Sequence, residues 1–521
     1  MRAVLFAGGR ILTGTGVDAE ALLARDGRII AVGRLADVTA ASAGAERVDL
    51  RGGLMVPGWG DAHVHFMWWA IQMGQLDLRD AATLDVALGR IHAAVQRLPE
   101  GAWLLGGRFD KNLWGRWPTA ADLDSVTAGR PAALRSRDGH ARWLNSAALR
   151  AASIGRGTAD PAGGEIERDA DGQATGIVKE NANALVERVI PDPSEEECLA
   201  AVRLGQAEAW RRGITALEDL EQASARDAFR RLHGLGELGL RISMGIPRGD
   251  LDTAIAAGLR TDDGDEWLRT GHCKFFTDGA LGSQTAALEE PYEGSSGRGI
   301  LTIEPEVLVA EVGRAADAGI SVAIHAIGDR AVRIALDAIE PTRRTQPGLR
   351  QRIEHAQLVG SEDLPRFGRL GVIASMQPIH ATSDRDLVDR YWGPARATRA
   401  YPFRTLRRHG AVLAFGSDAP VEPIDPLLGI HAGVARQRPG DADRWQPQEA
   451  LDVREALSAY AHGVAYATGS EQERGTLAPG MRCDATIVDR DLLALPPDEW
   501  LDAKVTGTVT GGVIRFGDGL G

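Results

Sequence analysis

Eight apolar runs of strand length alternate with helical stretches through the middle of the chain, and several of them stop at histidine, lysine or aspartate. These observations predict an α/β fold on a (β/α)8 TIM barrel, with its chemistry at the C-terminal strand ends. The runs are a segment near His63, then Ile214 to Glu218, Arg241 to Ile246, His272 to Phe276, Val322 to His325, Arg352 to His355, Val372 to Met376 and Val412 to Phe415. A third observation concerns the chain ends, where short strand-like segments separated by turns predict one composite β-sandwich domain from residues 1–56 and 471–521, flanking a barrel over 57–470.

At the N-terminal end, Ala21-Leu22-Leu23-Ala24, the Asp26-Gly27 turn and Arg28 to Val32 predict a hairpin. At the other end Asp484 to Asp489, Lys504 to Thr510 and Val513 to Phe516 predict more small β structure. The first barrel strand lies in Val56-Pro57-Gly58-Trp59-Gly60-Asp61-Ala62-His63-Val64-His65. Alternate residues of a strand share a face, so His63 and His65 are expected about 7 Å apart at the backbone, both within reach of one metal ion. A lone His-x-His also arises by accident on surface strands, so the pair needs support from elsewhere in the chain.

An insertion over about 66–190 follows, rich in large aromatics: Trp68, Trp69, Trp103, Phe109, Trp114, Trp117 and Trp143. Over the barrel mouth they would build a mostly apolar pocket with Arg108, Arg137 and Asp138 as polar anchors. The competing expectation is that half of them form the insertion's own core.

The later strand ends supply that support. The fourth gives Lys274, the fifth His325, the sixth His355 and the eighth Asp418. A single buried histidine is ordinarily a hydrogen-bonded core residue; four of them with a lysine and an aspartate at the ends of one barrel point to metal binding. Lys274 is informative in itself, because of 59 cationic residues only Lys111, Lys179, Lys274 and Lys504 are lysine. Arginine cannot lose its proton and react. A buried lysine can, and its neutral amine can take up carbon dioxide as a carbamate that bridges two cations. The alternative is a structural ion pair of Lys274 with Asp278 or Glu354.

A formal charge of -13 and the absence of a basic run argue against a nucleic-acid partner. No stretch approaches 18 apolar residues, and the first ten residues hold too short an apolar run for a signal peptide. Cys198, Cys273 and Cys483 are far apart and form no Cys-x-x-Cys pair, which predicts a reducing, cytoplasmic setting without disulfides. A small-molecule substrate is the expected partner, with no membrane and with a homodimer among the assemblies the sequence allows.

The segments quoted above, with Lys274 to Thr285, His325-Ala326-Ile327-Gly328-Asp329-Arg330, Arg352-Ile353-Glu354-His355 and Gly416-Ser417-Asp418-Ala419-Pro420, resemble the amidohydrolase superfamily. The branch most resembled is that of the N-substituted formamide deformylases. The resemblance extends to Arg137-Asp138-Gly139-His140, Trp143-Leu144-Asn145-Ser146 and Gly163-Gly164-Glu165-Ile166 in the insertion. It implies a divalent metal cofactor, zinc by preference, with one or two ions per chain: His63 and His65 with Asp418 on one, His325 and His355 on the other, and carbamylated Lys274 between them. Lys274 and Asp418 would be the catalytic residues, Asp418 orienting the attacking water and moving its proton. The implied activity is hydrolysis of an amide C–N bond. A cyclic imide, a lactone or a phosphotriester is the second reading, and a barrel without catalysis the third.

Five further residues carry weaker expectations. Glu180 lines the site or lies on a solvated helix face; His140 and Trp143 shape the pocket or pack; His380 is a candidate substrate contact; Asp329 is next to His325 in the site or caps a helix. His92, His233 and His409 are expected to be surface or packing residues.

Overall fold

A computed structural model describes residues 3–99, 101–220 and 223–517; the outermost residues of the expected composite domain, 1–2 and 518–521, lie outside them. The barrel strands are β1 (Trp59–Val64), β2 (Ile214–Asp219), β3 (Arg241–Pro247), β4 (Leu268–Phe276), β5 (Val322–Ala326), β6 (Arg352–His355), β7 (Ile373–Met376) and β8 (Leu413–Phe415). They form one sheet in chain order, and each neighbouring pair is parallel. All eight expected runs are strands of this sheet.

Between β8 and β1 the backbone is joined just above the strands: Asp418 N donates to His63 O at 2.8 Å, and His65 N to Ala419 O at 2.9 Å. The seam is tight enough to require glycine at 416, where a Cβ would sit 2.7 Å from both Asp61 Oδ1 and His63 N. Ser417 Oγ donates to Asp61 Oδ2 at 2.5 Å across the same seam. Two segments 356 residues apart are thereby fixed side by side, which is what delivers Asp418 to His63 and His65.

Strand parity divides the residues of β4 between two environments. Cys273 and Phe275 face outward into the main apolar core with Ile324, Val312 and Leu336, while His272 and Lys274 point into the barrel, where they meet Glu218 and His63. The helix Asp329–Ile339 covers β5 with Ala331, Val332, Ala335, Leu336 and Ile339, an i, i+4 stripe buried throughout. Burying a branched side chain of this size stabilises the fold by about 1.5–3 kcal/mol, so the outer layer holds the strands and leaves their inner faces free for polar groups.

The terminal segments form one continuous eight-stranded sheet that combines strands from residues 3–57 with strands from 485–517. Its strand Ala3–Leu12 is irregular between Ala7 and Ile11, and pairs with Glu46–Asp49 along its first half and Leu54–Pro57 along its second. A buried ion pair ties this sheet to the barrel: Arg241 of β3 donates to both carboxylate oxygens of Asp484, at 2.6 and 2.9 Å.

The insertion carries a third, six-stranded sheet over residues 76–180, and most of the aromatics belong to its core. Phe109 stacks on Trp114 and meets Trp143 edge-on, with ring centres 5.6 and 5.7 Å apart. Trp143 is fully buried and donates from Nε1 to Thr119 O, so it packs the insertion and does not shape the pocket. Trp69 packs against Phe66 beside the barrel. Only Trp68, Phe109 and Trp117 of the seven border the cavities described below. The expectation of a pocket walled by all seven therefore gives way to the competing one, because a sheet this size needs a core of its own. Among the described residues no helix is long and apolar enough to cross a membrane.

Candidate active site

The sequence-predicted residues meet at the C-terminal mouth of the barrel. His63 Nε2 and His65 Nε2 each lie 3.4 Å from Asp418 Oδ1, and Lys274 Nζ lies 3.4 Å from His63 Nε2. The His355 ring is 4.8 Å from that of His63 and 4.6 Å from that of His325, and its Nδ1 is 4.0 Å from Asp418 Oδ2. His63, His355 and Asp418 each offer a ligand atom within 4.8 Å of the others. Asp418 and His355 hold φ angles of 58° and 70°, a left-handed conformation that costs a non-glycine residue energy and is paid for where a side chain must be aimed.

Each imidazole is oriented by a partner behind it. His63 Nδ1 is 2.6 Å from Glu354 Oε2, and His355 Nδ1 is 2.8 Å from Gln377 Oε1, which leaves the Nε2 atoms free. His325 is reversed: its Nε2 faces Gly279 O at 3.1 Å and Asp278 Oδ1 at 3.4 Å, leaving Nδ1 as the free nitrogen. Burial pushes His63 down to about 4, and holds His325 below and His355 well below the usual imidazole value, so all three are neutral and able to act as ligands. Burial opposes ionisation of Asp418, but the neighbouring imidazoles of His63, His65 and His355 outweigh it and hold the carboxyl well below its ordinary value. Burial brings Lys274 down to about 8, within range of a neutral amine. Among the described residues no ion pair joins Lys274 to Asp278 or Glu354; its side-chain nitrogen instead sits 4.8 Å above the Phe276 ring.

These atoms fit a metal ion. A 3.4 Å separation exceeds an ordinary N–H···O hydrogen bond, yet two ligands at about 2.0–2.1 Å from a tetrahedral ion stand about 3.3 Å apart. The nitrogens of His63 and His65 converge on one carboxylate oxygen at the spacing of two ligands of one ion.

The insertion completes the mouth through the loop between its strands Ala132–Ser136 and Ala141–Leu144. That loop carries His140, whose Nδ1 is 2.8 Å from Glu180 Oε2 and whose ring is 5.3 Å from that of His325. Burial would lower His140, but Glu180 raises it to about 9. Glu180 is thus a site-lining residue and not part of a solvated helix face; its other oxygen accepts from Thr285 Oγ1 at 2.6 Å. Gly279 is required beside this pair, since a Cβ there would lie 2.2 Å from Glu180 Oε1. Asp138 accepts from Ser136 and Ser283, and Arg137 donates to Glu422 at 2.6 Å.

Two cavities open from the cluster. The larger, about 680 Å³, is bordered by His380, Arg137 and Glu422; the smaller, about 430 Å³, by His63, His65, Lys274 and Trp68. Asp418, His325, His355, Asp138 and His140 border both. His380 borders the larger cavity with Nδ1 3.3 Å from Gln357 Nε2, while its Nε2 is 3.9 Å from Asp418 Oδ2 and has no hydrogen-bond partner among the described residues.

One pair of alternatives is decided, at Asp329, and one expectation fails, at Arg108. Asp329 does not touch His325; it is the first residue of its helix, and its Oδ1 accepts from Glu289 N and Arg330 N. Asp278 takes the place beside His325. Arg108 pairs with Asp77 at 3.4 Å and borders neither cavity. The sequence reading also missed Gln377, Glu218 and His272, and treated Glu354 only as a rival partner for Lys274. A usable signal was present: His272 and Arg352 are polar, sit two residues before Lys274 and Glu354, and so share their inward faces.

With this geometry in hand, comparison with known proteins fixes the family. The chain matches the amidohydrolase family over residues 46–516. It is 30% identical over 518 residues to the N-substituted formamide deformylase of Arthrobacter pascens, covering 96% of this chain and 95% of that protein. It is 33% identical over 515 residues to the protein LONG AFTER FAR-RED 3 of Arabidopsis thaliana, covering 95% of this chain and 88% of the other. Among solved structures, a metal-dependent hydrolase from Pyrococcus horikoshii OT3 superposes with a TM-score of 0.78 at 29% identity, over 95% of this chain and 99% of that one. The chain therefore belongs to the amidohydrolase family.

Proposed function

We propose that the chain hydrolyses a carbon–nitrogen bond other than a peptide bond, in an N-acyl or N-formyl amide of a small, partly apolar substrate. The observation that carries this reading is the convergence of His63, His65, His355 and Asp418 beside Lys274 and His325, between two cavities able to take the two halves of an amide. The relative named as a formamide deformylase supports the choice of bond.

His63, His65 and Asp418 would hold one ion and His325 and His355 a second, zinc in our assignment because imidazole and carboxylate donors suit it. When bound, the metal supplies a water that ionises near neutral pH and a Lewis acid for the substrate carbonyl. The remaining work falls to the chain. Glu354 and Gln377 hold the imidazoles in the tautomer that leaves Nε2 free. The neutral Lys274 amine would add to carbon dioxide, forming an N–C bond and releasing one proton to solvent, and the resulting carbamate would offer two oxygens as metal ligands. Asp418, ionised and central, takes the proton of the attacking water on a carboxylate oxygen and passes it to the leaving nitrogen. Leu281, Ile379 and Leu387 on the wall of the larger cavity suit an apolar substituent.

The test is metal analysis of the purified protein followed by turnover on matched N-formyl, N-acetyl, cyclic amide, lactone and phosphotriester substrates. Highest kcat/KM on an open-chain amide is expected; a lactone or phosphotriester preference overturns the assignment. Lys274→Ala should lose metal and activity and regain part of both with short carboxylates, whereas Lys274→Arg, whose guanidinium fills the space, should not. Equal behaviour of the two variants removes the carbamate.

A further inference from the structure

The larger cavity carries four cations on its wall: Lys111, Arg137, Arg390 and Arg438. Arg137 is paired with Glu422 at 2.6 Å and Arg438 with Asp386 at 2.7 Å. Among the described residues, Lys111 and Arg390 have no carboxylate partner. Both face one ring instead: the Lys111 ammonium is 5.6 Å from the centre of Tyr391, and the Arg390 guanidinium 5.0 Å from it. The ring is fixed, since Tyr391 Oη donates to Asn112 Oδ1 at 2.9 Å. Lys111 also lies 5.1 Å from Trp117, and its hydrogen-bond partner is the amide oxygen of Asn112 at 3.3 Å.

Two positive groups on separate elements, gathered about one aromatic ring without a directly paired carboxylate, repel each other; a bound anion removes that cost. Other carboxylates of the same wall are engaged elsewhere: Glu422 by Arg137 and Ser383, Asp386 by Arg438, Asp110 by Asn112, Asp138 by Ser136, Ser283 and the His140 amide, and Asp384 by Tyr401. Burial outweighs the attraction of the more distant Asp138 and Asp110 and holds the half-buried Lys111 ammonium below its ordinary value.

We propose that Lys111 and Arg390 form an anion subsite, and that the substrate is an amide whose distal end carries a carboxylate. The inference rests on reading the cavity as the substrate chamber of an amide hydrolase. Tyr391 and Trp117 would flank the apolar segment leading to that carboxylate, and the scissile bond would lie at Asp418.

The test uses the metal-loaded protein and calorimetric binding of 4-phenylbutyrate and its neutral isostere 4-phenylbutyramide. The acid should bind at least about tenfold more tightly than the amide, a preference of the size that charge-assisted hydrogen bonds give. Lys111→Met/Arg390→Gln should keep the amide affinity, which also shows that the variant is folded, and lose the preference. Should the double variant fail to fold, Arg390→Gln alone, at an exposed position, should lower the preference severalfold. Equal binding of acid and amide by the parent overturns the subsite, as does a preference that survives the substitutions, since the carboxylate is then held at the metal cluster. Turnover of N-formyl amines with and without a distal carboxylate separates the two readings: no amide cleaved, with the binding preference intact and lost on substitution, refutes the amide assignment and leaves the anion subsite standing.

Discussion

Two buried polar groups occupy successive levels of the same barrel, and they differ in what the protein gives them. In the lower one Arg352 donates to Glu354 at 2.6 Å, to Glu218 at 2.7 Å, and to Ala62 O and Ser375 Oγ. His272 completes it, with Nδ1 2.7 Å from Glu218 and Nε2 2.9 Å from Arg350 O. Every member is inaccessible to solvent and hydrogen-bonded. One level up, the imidazoles of His63, His65, His355 and His380 surround Asp418 at nitrogen-to-oxygen distances of 3.4–4.0 Å, longer than ordinary hydrogen bonds. The residue types are nearly the same. A buried polar set whose members hydrogen-bond closely to one another is structural; imidazoles that converge on one carboxylate at the spacing of metal ligands suit something that binds between them. Glu354 links the levels, with one oxygen on Arg352 and the other on His63.

The difference breaks most visibly at Asp418. Asp418→Asn should lower turnover by at least about 10²–10⁴, the usual share of general acid–base catalysis, while keeping much of the bound metal. Metal content and kcat measured together check it, and full metal with near-normal turnover places the base elsewhere, with Glu180 and His380 next to test. In the lower level the loss should fall on stability. Arg352→Met strands Glu218 and Glu354 without their cation and should cost about 3–5 kcal/mol in urea unfolding, the range for breaking one side of a buried ion pair. A cost below about 1 kcal/mol would show that the network is not the structural element described here.

Glu354→Gln probes the link between levels. The lost charge behind His63 should weaken metal affinity by about 10–100-fold, read by competition with a chelator, with a smaller effect on folding than Arg352→Met. The smallest effect is the pH dependence of the lower level. Burial opposes ionisation of Glu218 and Glu354, but Arg352, with His272 on the first and His63 on the second, outweighs it and lowers both carboxyls, that of Glu354 far below its usual value. A carboxylate depressed on folding contributes stability that is present above its unfolded pKa and lost as pH falls through the folded value. The unfolding free energy should therefore fall below about pH 4.3, by at most about 1.4 kcal/mol per pH unit for each group, and Arg352→Met should flatten that slope.

The sequence by itself determined the barrel and the identity of its mouth residues. Apolar runs of strand length report burial directly, and a histidine, lysine or aspartate at the end of such a run stands out against it; that is why His63, His65, Lys274, His325, His355 and Asp418 were legible. What the tertiary structure alone decided is which of these atoms meet and who stands behind them. Glu354 reaches His63 across 291 positions of sequence, and Asp278, not the equally plausible Asp329, lies beside His325 because the β4 and β5 ends adjoin while the helix start turns Asp329 toward Glu289. The insertion's aromatics were ambiguous for a related reason: composition measures how much apolar surface must be buried but not against what, and the fold buries most of it in the insertion's own sheet. Local pattern fixes the face a residue occupies, and only chain closure fixes its partner across the barrel.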